Sequence, residues 1–347
     1  MGYRLLPYTA DWEPAAGRCN ARLQASGKAP FLLPFQASST PPPVMRQHFL
    51  AVDEGDEVRG GCLLQSQPAW VGNESAEAVN IQSPLSEGLF DRHFAGLGPW
   101  MMRELLRRHP LAYCVGMGNE QMPFPRLLRA LGWRVEPVPF YFRVLAGRQF
   151  LANMQPLRRH PRFGPLAAIG GFTPLLPDLA IALAHAWRTA ERERPASPPP
   201  ALWTDIRTRY AFAMERSPAV LDALYPPAGP AFVRVQIPGG LAVLRISHFR
   251  RHNYFGDLTT ATLAETICAP TAARALLRAA LAEARANGAG LLLANHSDPE
   301  LQQAMREEGW LSYTSNYLAG LSPQLAARIG TQPYYLTRGD GDGLLNL

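Results

Sequence analysis

Leu128-Arg129-Ala130-Leu131-Gly132-Trp133 and Met305-Arg306-Glu307-Glu308-Gly309-Trp310 resemble each other, and their glycines lie 177 residues apart. Other features keep that spacing. The short apolar run at 111–118 moves onto 288–295, which holds Ala289-Gly290-Leu291-Leu292-Leu293-Ala294. The stretch 99–109, with Trp100, Leu105 and Leu106 set against Arg103, Arg107 and Arg108, moves onto 276–286. There Leu276, Leu277, Ala280, Leu281 and Ala284 fall on one helical face. A helix, a strand, a second helix and Gly-Trp therefore recur in one register. Such recurrence is the mark of an internal duplication, with a unit of about 150–170 residues. The expected organisation is a first domain at 1–149, a connector at 150–172, and a second domain at 173–347 that ends in a Gly-rich tail.

The elements around the repeat extend this reading. In the first half 48–53 and 57–65 are strand-like, and 76–82 is a third strand. A loop leads to the helix that begins near Pro99. A strand at 113, a helix at 125–131 stopped by Gly132, and a closing strand at 138–145 follow. In the second half a helix is expected at 178–191 and a Pro-rich loop at 195–200. Strands at 231–236 and 241–249 meet at Pro238-Gly239-Gly240. A strand near 258–263, a helix at 271–287, a strand at 290–295 and a helix at 299–308 complete the half. Antiparallel strands followed by helix, strand, helix and strand imply a mixed sheet flanked by helices.

Composition sets limits on function. With 47% hydrophobic and 18% charged residues the chain is not a disordered one. The net charge of +6 suits an anionic ligand. No Lys/Arg run exceeds two, so nucleic acid is not an expected partner. Cys19, Cys62, Cys114 and Cys268 form no CxxC pair, so reduced, buried thiols in a cytoplasmic protein are expected and a zinc site is not. The opening residues read as neither a secretory signal nor a myristoylation site, and no stretch reaches the length of a membrane span.

The candidate site lies where a strand passes through Ser83-Pro84-Leu85-Ser86-Glu87-Gly88 to Arg92-His93-Phe94-Ala95-Gly96-Leu97-Gly98 and a helix then begins. Small residues allow close backbone approach, and a helix start offers free N–H groups to an anion such as a diphosphate. This order resembles the GNAT acyltransferases, whose acyl-CoA loop reads Gln/Arg-x-x-Gly-x-Gly/Ala between strand and helix and is followed by a strand and a helix ending in Gly-Phe or Gly-Trp. Gly96 and Gly98 fall on the two small positions. His93 stands where the family has Gln or Arg, with Arg92 one place early. The resemblance covers 76–145 and extends to the second half, where Ala273 and Ala275 replace the glycines at the same spacing. It implies an α/β fold (α+β mixed sheet) of two tandem GNAT-like domains, with acetyl-CoA or another acyl-CoA held by Arg92, His93, Gly96, Leu97 and Gly98 of the first. The second is read as a degenerate copy that shapes the acceptor pocket.

The family's proton-donating Tyr is replaced by Leu128 in the first half and Met305 in the second. Glu87 is the first candidate base, its alternative being a solvated loop carboxylate or a partner of the helix start. Asn119 and Glu120 are either site residues or the cap of the next helix. In the second half His248, Asp257, Asn295, His296 and Asp298 lie near strand ends, and His248 and Asp257 join the catalytic candidates. Arg250, Arg251 and His252 form a short basic cluster. Arg338, Asp340 and Asp342 lie in the tail, which is expected to fold against the acceptor pocket. No metal is expected. The implied activity is acyl transfer, acetyl in the first instance, to an amine or hydroxyl, with an amino sugar of a surface-polysaccharide precursor as acceptor. The alternatives are a Fem-type aminoacyl-tRNA-dependent transferase and a non-catalytic scaffold or sensor.

Overall fold

A computed structural model describes residues 2–28, 31–34, 42–161, 200–227 and 232–341. The expected helix at 178–191 and Asp342 lie outside the described residues. The chain divides into two units, Met1–Pro137 with Ala211–Glu215 and Asn316–Gln332, and Val138–Tyr210 with Arg216–Ser315 and Pro333–Leu347.

Unit 1 opens with β1 (Tyr3–Pro7) and α1 (Glu13–Ser26), then β2 (Met45–Asp53), β3 (Val58–Val71) and β4 (Glu74–Ser86). β3 and β4 are joined by a two-residue turn in which Gly72 takes φ +61°, the left-handed first position that hairpin twist favours. Next come α2 (Leu97–Arg108), β5 (Ala112–Val115), α3 (Pro123–Ala130) and β6 (Arg134–Pro137). Leu97, Met101, Met102 and Leu105 of α2 are buried on the sheet with Val79, Ile81, Cys114 and Trp133. On α1, Ala15, Ala16, Cys19 and Leu23 pack with Leu50, Val52 and Val58.

The strand expected to close the first half over 138–145 is present as β7 (Phe140–Val144), but its partners belong to unit 2. The place in unit 1 between β5 and β6 is taken by a strand from far along the chain, Leu318–Leu321, antiparallel to both. β7 in turn lies in the sheet of unit 2, between two strands of the second half. The two halves have thus exchanged equivalent strands: Leu318–Leu321 follows Gly309-Trp310 as β7 follows Gly132-Trp133.

Unit 2 continues through α4 (Gly147–Asn153), α5 (Gln155–Arg159) and α6 (Pro200–Arg207). β8 (Phe212–Met214) pairs with the far end of β3 in unit 1. Then follow α7 (Pro218–Leu224), β9 (Phe232–Ile237), β10 (Gly240–His248), β11 (Thr259–Cys268), α8 (Ala273–Ala286), β12 (Leu291–Asn295), α9 (Pro299–Glu307) and β13 (Leu311–Tyr313). The swapped Leu318–Leu321 is β14, followed by α10 (Pro323–Ile329) in unit 1 and β15 (Tyr334–Tyr335) in unit 2. The sheet of unit 2 runs β13-β7-β12-β11-β10-β9. The turn expected at Pro238-Gly239-Gly240 joins β9 to β10, with Gly239 at φ +74°.

β4 with β5 in one sheet and β11 with β12 in the other are parallel pairs, and each pair parts early. β4 continues to Ser86 but pairs with β5 only at Val79 and Asn80. β11 continues to Cys268 but pairs with β12 only as far as Leu263. A bulge lies close beyond each parting. In β4 the two residues Ser83 and Pro84 stand opposite Cys62, with Ser83 at φ +48°, and in β11 Ala264 is the extra residue.

Gly60 sets this geometry in unit 1. A Cβ there would meet the Leu85 carbonyl oxygen at 2.3 Å, and backbone cannot yield cheaply. Gly60→Ala is expected to destabilise the protein by about 2–3 kcal/mol, read as a lowered urea midpoint. Gly17→Ala, at an open site inside α1, shifts the midpoint the other way by up to about 1 kcal/mol.

Candidate acyl-donor groove in unit 1 and its filled counterpart in unit 2

Where β4 leaves β5, unit 1 has a half-open cavity of about 100 Å³ lined by Pro84, Leu85 and Ser86 of β4, Gly98, Met101 and Met102 of α2, and Phe124 and Leu127 of α3. The start of α2 borders it. Arg92, His93 and Gly96 are exposed in the turns just before the helix. The amides of Leu97 and Gly98 lie in its first turn, where a helix supplies no acceptor of its own. Pro99 has no N–H to offer. A Cβ on Gly96 would meet nothing within 4 Å, and one on Gly98 would meet only Leu127 at 3.7 Å. Neither glycine is demanded by the fold. Their hydrogens leave the backbone open to a ligand.

Glu87 does not line this cavity. It is buried, and both carboxylate oxygens are held: Arg22 Nε donates to Oε1 at 2.6 Å and Arg59 Nη1 to Oε2 at 3.1 Å. Arg59 also binds Asp53 at 2.7 Å and lies over the Phe94 ring. Arg22 reaches Glu57 and the Val58 carbonyl. This network ties the connection between β4 and α2 to α1 and to the β2–β3 turn. The expected base is instead a structural ion pair that fixes the approach to the helix start. The guanidiniums that surround Asp53 and Glu57 hold these carboxyls below the usual carboxylate range, against the opposing effect of burial.

Asn119 is exposed and its side-chain oxygen accepts from the Gln121 amide, so it forms the turn before α3. Glu120 pairs with Arg129. In unit 2 His248 is exposed at the end of β10, with Nδ1 3.0 Å from Thr259 Oγ1. Asp257 accepts from the Arg251 amide at 2.7 Å and shapes the β10–β11 loop. Gly98 lines the cavity and Leu97 is buried in the core beside it, Arg92, His93 and Gly96 are exposed in the turns just before α2, and His248 and Asp257 lie at one end of a hairpin in unit 2. All four cysteines are free and buried, and burial pushes the Cys19, Cys62 and Cys268 thiols up to about 12.

The helix starts of the two copies differ in register from the uniform 177-residue spacing. Buried Met101, Met102 and Leu105 of α2 correspond to buried Leu276, Leu277 and Ala280 of α8, 175 residues on. Gly98 then matches Ala273, and not Ala275. Ala273 is buried in the core of unit 2, so its methyl fills the position that borders the cavity in unit 1.

Beyond its bulge, unit 2 carries a polar cluster that the sequence reading did not find. Glu265, in the otherwise apolar Leu263-Ala264-Glu265-Thr266-Ile267 run, is fully buried beside Arg216. Arg216 Nε donates to Glu265 Oε2, and Nη2 donates to Asp340 Oδ1 at 2.6 Å. Asp340 Oδ2 accepts from the Thr337 amide at 2.8 Å, closing a capping box. The Tyr335 hydroxyl donates to the Thr266 carbonyl. Gly339 lies so close that a Cβ would sit 2.8 Å from the Ala264 carbonyl oxygen. The chain from Tyr335 to Asp340 therefore covers the part of β11 that has left β12. Residues 337–341 of the tail expected to line an acceptor pocket are packed inside unit 2, with Arg338 bonded to Asn295 at 2.8 Å. His296 is buried here. Its Nδ1 accepts from the Asp298 amide, and burial pushes its pKa down to about 4 against the pull of Asp298 and Asp340.

No protein-family model matches the sequence, and no curated protein does. Solved structures do. The chain is similar to Saccharomyces cerevisiae N-myristoyltransferase with bound myristoyl-CoA and inhibitors, at a TM-score of 0.51 and 11% identity over 92% of this chain and 79% of that one. A second structure of the yeast enzyme with bound myristoyl-CoA aligns at 0.50 and 10%, over 92% and 78%. A GCN5-related N-acetyltransferase from Anabaena variabilis aligns at 0.48 and 10%, over 92% and 72%. The likeness is one of fold, and the two mixed sheets flanked by helices are the architecture that the GNAT resemblance implied.

Arg216→Met strands two buried carboxylates and is expected to cost about 3–5 kcal/mol, measured by urea unfolding. His296 gives a pH signature. Its folded pKa is depressed, so the unfolded chain takes up a proton first as pH falls. Stability is lost from about pH 6.5 downward, amounting to about 2 kcal/mol at pH 5 from this group. Unfolding titrations should show that loss shrink in His296→Gln, with the smaller share from half-buried His109 remaining.

Proposed function

We propose that this protein is an acyl-CoA-dependent acyltransferase whose thioester donor is held by unit 1. The observation that carries the reading is the open splay between β4 and β5, beside a helix start whose two glycines the fold itself does not need. In this reading the amides of Gly96, Leu97 and Gly98 hold the diphosphate, favoured by the positive end of α2. Arg92, exposed in the preceding turn, adds charge. Beyond Asn80 β4 has left the ladder with β5, and in this reading its end at Pro84, Leu85 and Ser86, which lines the cavity, takes the amides of a pantetheine chain as an added strand would. Leu85, Met101, Met102, Phe124 and Leu127 exclude water around its apolar stem. The acceptor amine or hydroxyl attacks the thioester carbonyl, the new C–N or C–O bond forms, the C–S bond breaks with its electron pair leaving on sulfur, and the proton lost by the acceptor passes through water to the thiolate, which leaves as the free thiol of CoA. An amino sugar is the first acceptor to try, and acetyl the first acyl group.

Gly96→Asp and Gly98→Asp test the donor site. Aspartate at or near a helix start favours the helix, so both variants should melt no lower than the parent. Calorimetry with acetyl-CoA and with myristoyl-CoA should show affinity reduced at least tenfold in each. Acyl-CoA binding that neither substitution weakens, or a parent protein that binds neither thioester, would end the reading.

A further inference from the structure

The β10–β11 loop of unit 2 folds onto the α4–α5 corner. The Gln155 amide donates to the Tyr254 carbonyl at 2.9 Å, and the Asp257 amide donates to Asn153 Oδ1 at 3.1 Å. Phe255 packs with Phe150 and Met154 on one side and stacks on Phe249 and His252 on the other. The loop is therefore a built surface. It places Arg250 and Arg251 next to the helix pair that carries Arg148, Arg158 and Arg159, all of them exposed. Among the described residues Arg158, Arg159, Arg250 and Arg251 form no ion pair with a carboxylate. The exposed acid at the surface is Asp257, whose Oδ1 is taken by the Arg251 amide. Tyr254 stands out from the cluster with 60% of its surface exposed.

The sequence adds an independent observation. No Asp or Glu occurs between Glu136 and Asp178. Directly after Arg158-Arg159-His160-Pro161-Arg162 the chain reads Phe163 to Trp187, with Asp178 as its one Asp, Glu, Lys or Arg. Arg158, Arg159, Arg250 and Arg251, set around an outward tyrosine, form the combination that anionic bilayers attract: guanidiniums meet phosphate headgroups, while the aromatic ring enters the interface. Among the described residues no helix is long and apolar enough to cross a bilayer.

We propose that the α4–α5 corner and the β10–β11 loop of unit 2 dock peripherally on an anionic lipid surface. Nucleic acid is the competing polyanion, but among the described residues no exposed Phe, Tyr or Trp other than Tyr254 stands at this surface to stack on successive bases. The proposal does not depend on the acyltransferase reading.

The test is co-sedimentation of the full chain with phosphatidylcholine vesicles that do or do not contain phosphatidylglycerol. Binding is expected to the anionic vesicles, and to fade as salt rises from about 0.1 M to about 1 M and the Debye length falls from about 10 Å to about 3 Å. At about fivefold per guanidinium, removing two should weaken the partition about twentyfold. The pairs R158Q/R159Q and R250Q/R251Q are made separately. All four side chains are exposed, so melting temperature and acyl-CoA affinity should match the parent, which separates a docking defect from misfolding or a donor-site defect. R18Q, on α1, should leave vesicle binding intact. Equal binding to pure phosphatidylcholine, no vesicle binding at all, binding that survives both double substitutions, or tighter binding of a labelled RNA than of anionic vesicles in the same salt would each overturn the proposal.

Discussion

The parting of β4 from β5 is the constraint on which the rest of unit 1 depends. Two strands in a parallel pair normally satisfy each other along their length. Here the ladder holds at Val79 and Asn80 and then ends, with Ser83 in the left-handed region and Pro84 withholding an N–H. Beyond that point β4 leaves the ladder with β5, and a space opens beside its end at Pro84, Leu85 and Ser86. α2 and α3 bound that space, and α2 points its first turn at the mouth. Gly60 lets β3 follow the bulge, and the Glu87 network holds the ten residues that lead from β4 to α2. A backbone edge, a helix start and an apolar wall are thus brought to one place by a single irregularity in one strand.

Much of the fold was legible because a duplicated pattern is tested twice. Each helix that packs on a sheet shows its apolar stripe, and Gly132 and Gly309 both stop a helix in the left-handed conformation, at φ +81° and +73°. What the pattern could not carry is the choice of partner. β7, mostly half-buried, and β14, fully buried, stand in equivalent places along the chain, and a short apolar run read at a period of two says which face is buried but not which sheet receives it. Pro68 concealed the length of β3, which reads as ending at Gln65 but continues to Val71.

The site was legible where it is made of backbone and hidden where it is made of distant side chains. Glycines before a helix can be read locally. The role of Glu87 could not be, because the arginines that claim it lie 65 and 28 residues away in sequence. The one local signal for the unit 2 cluster was a charged residue inside an apolar strand. Glu265 in that setting requires a buried partner, but nothing near it in sequence says that the partner is Arg216 or that Asp340 completes the group.

The two copies show how a duplicated architecture can assign its opening to different ends. Both retain the parallel pair that separates and the bulge beyond it. In unit 1 the connection from strand to helix runs through ten residues, Gly98 adds no methyl, and the space stays open. In unit 2 the connection is four residues, Ala273 adds a methyl that is buried, and the chain's own 335–340 segment lies over β11. The free carbonyl of Thr266 finds a tyrosine hydroxyl, and the charge brought in by Glu265 is met by Arg216 and shared with Asp340. An opening whose backbone groups are bonded from within gains order from the chain itself. One that the chain does not cover in this way is open to a ligand, and the proposed donor site in unit 1 rests on that difference.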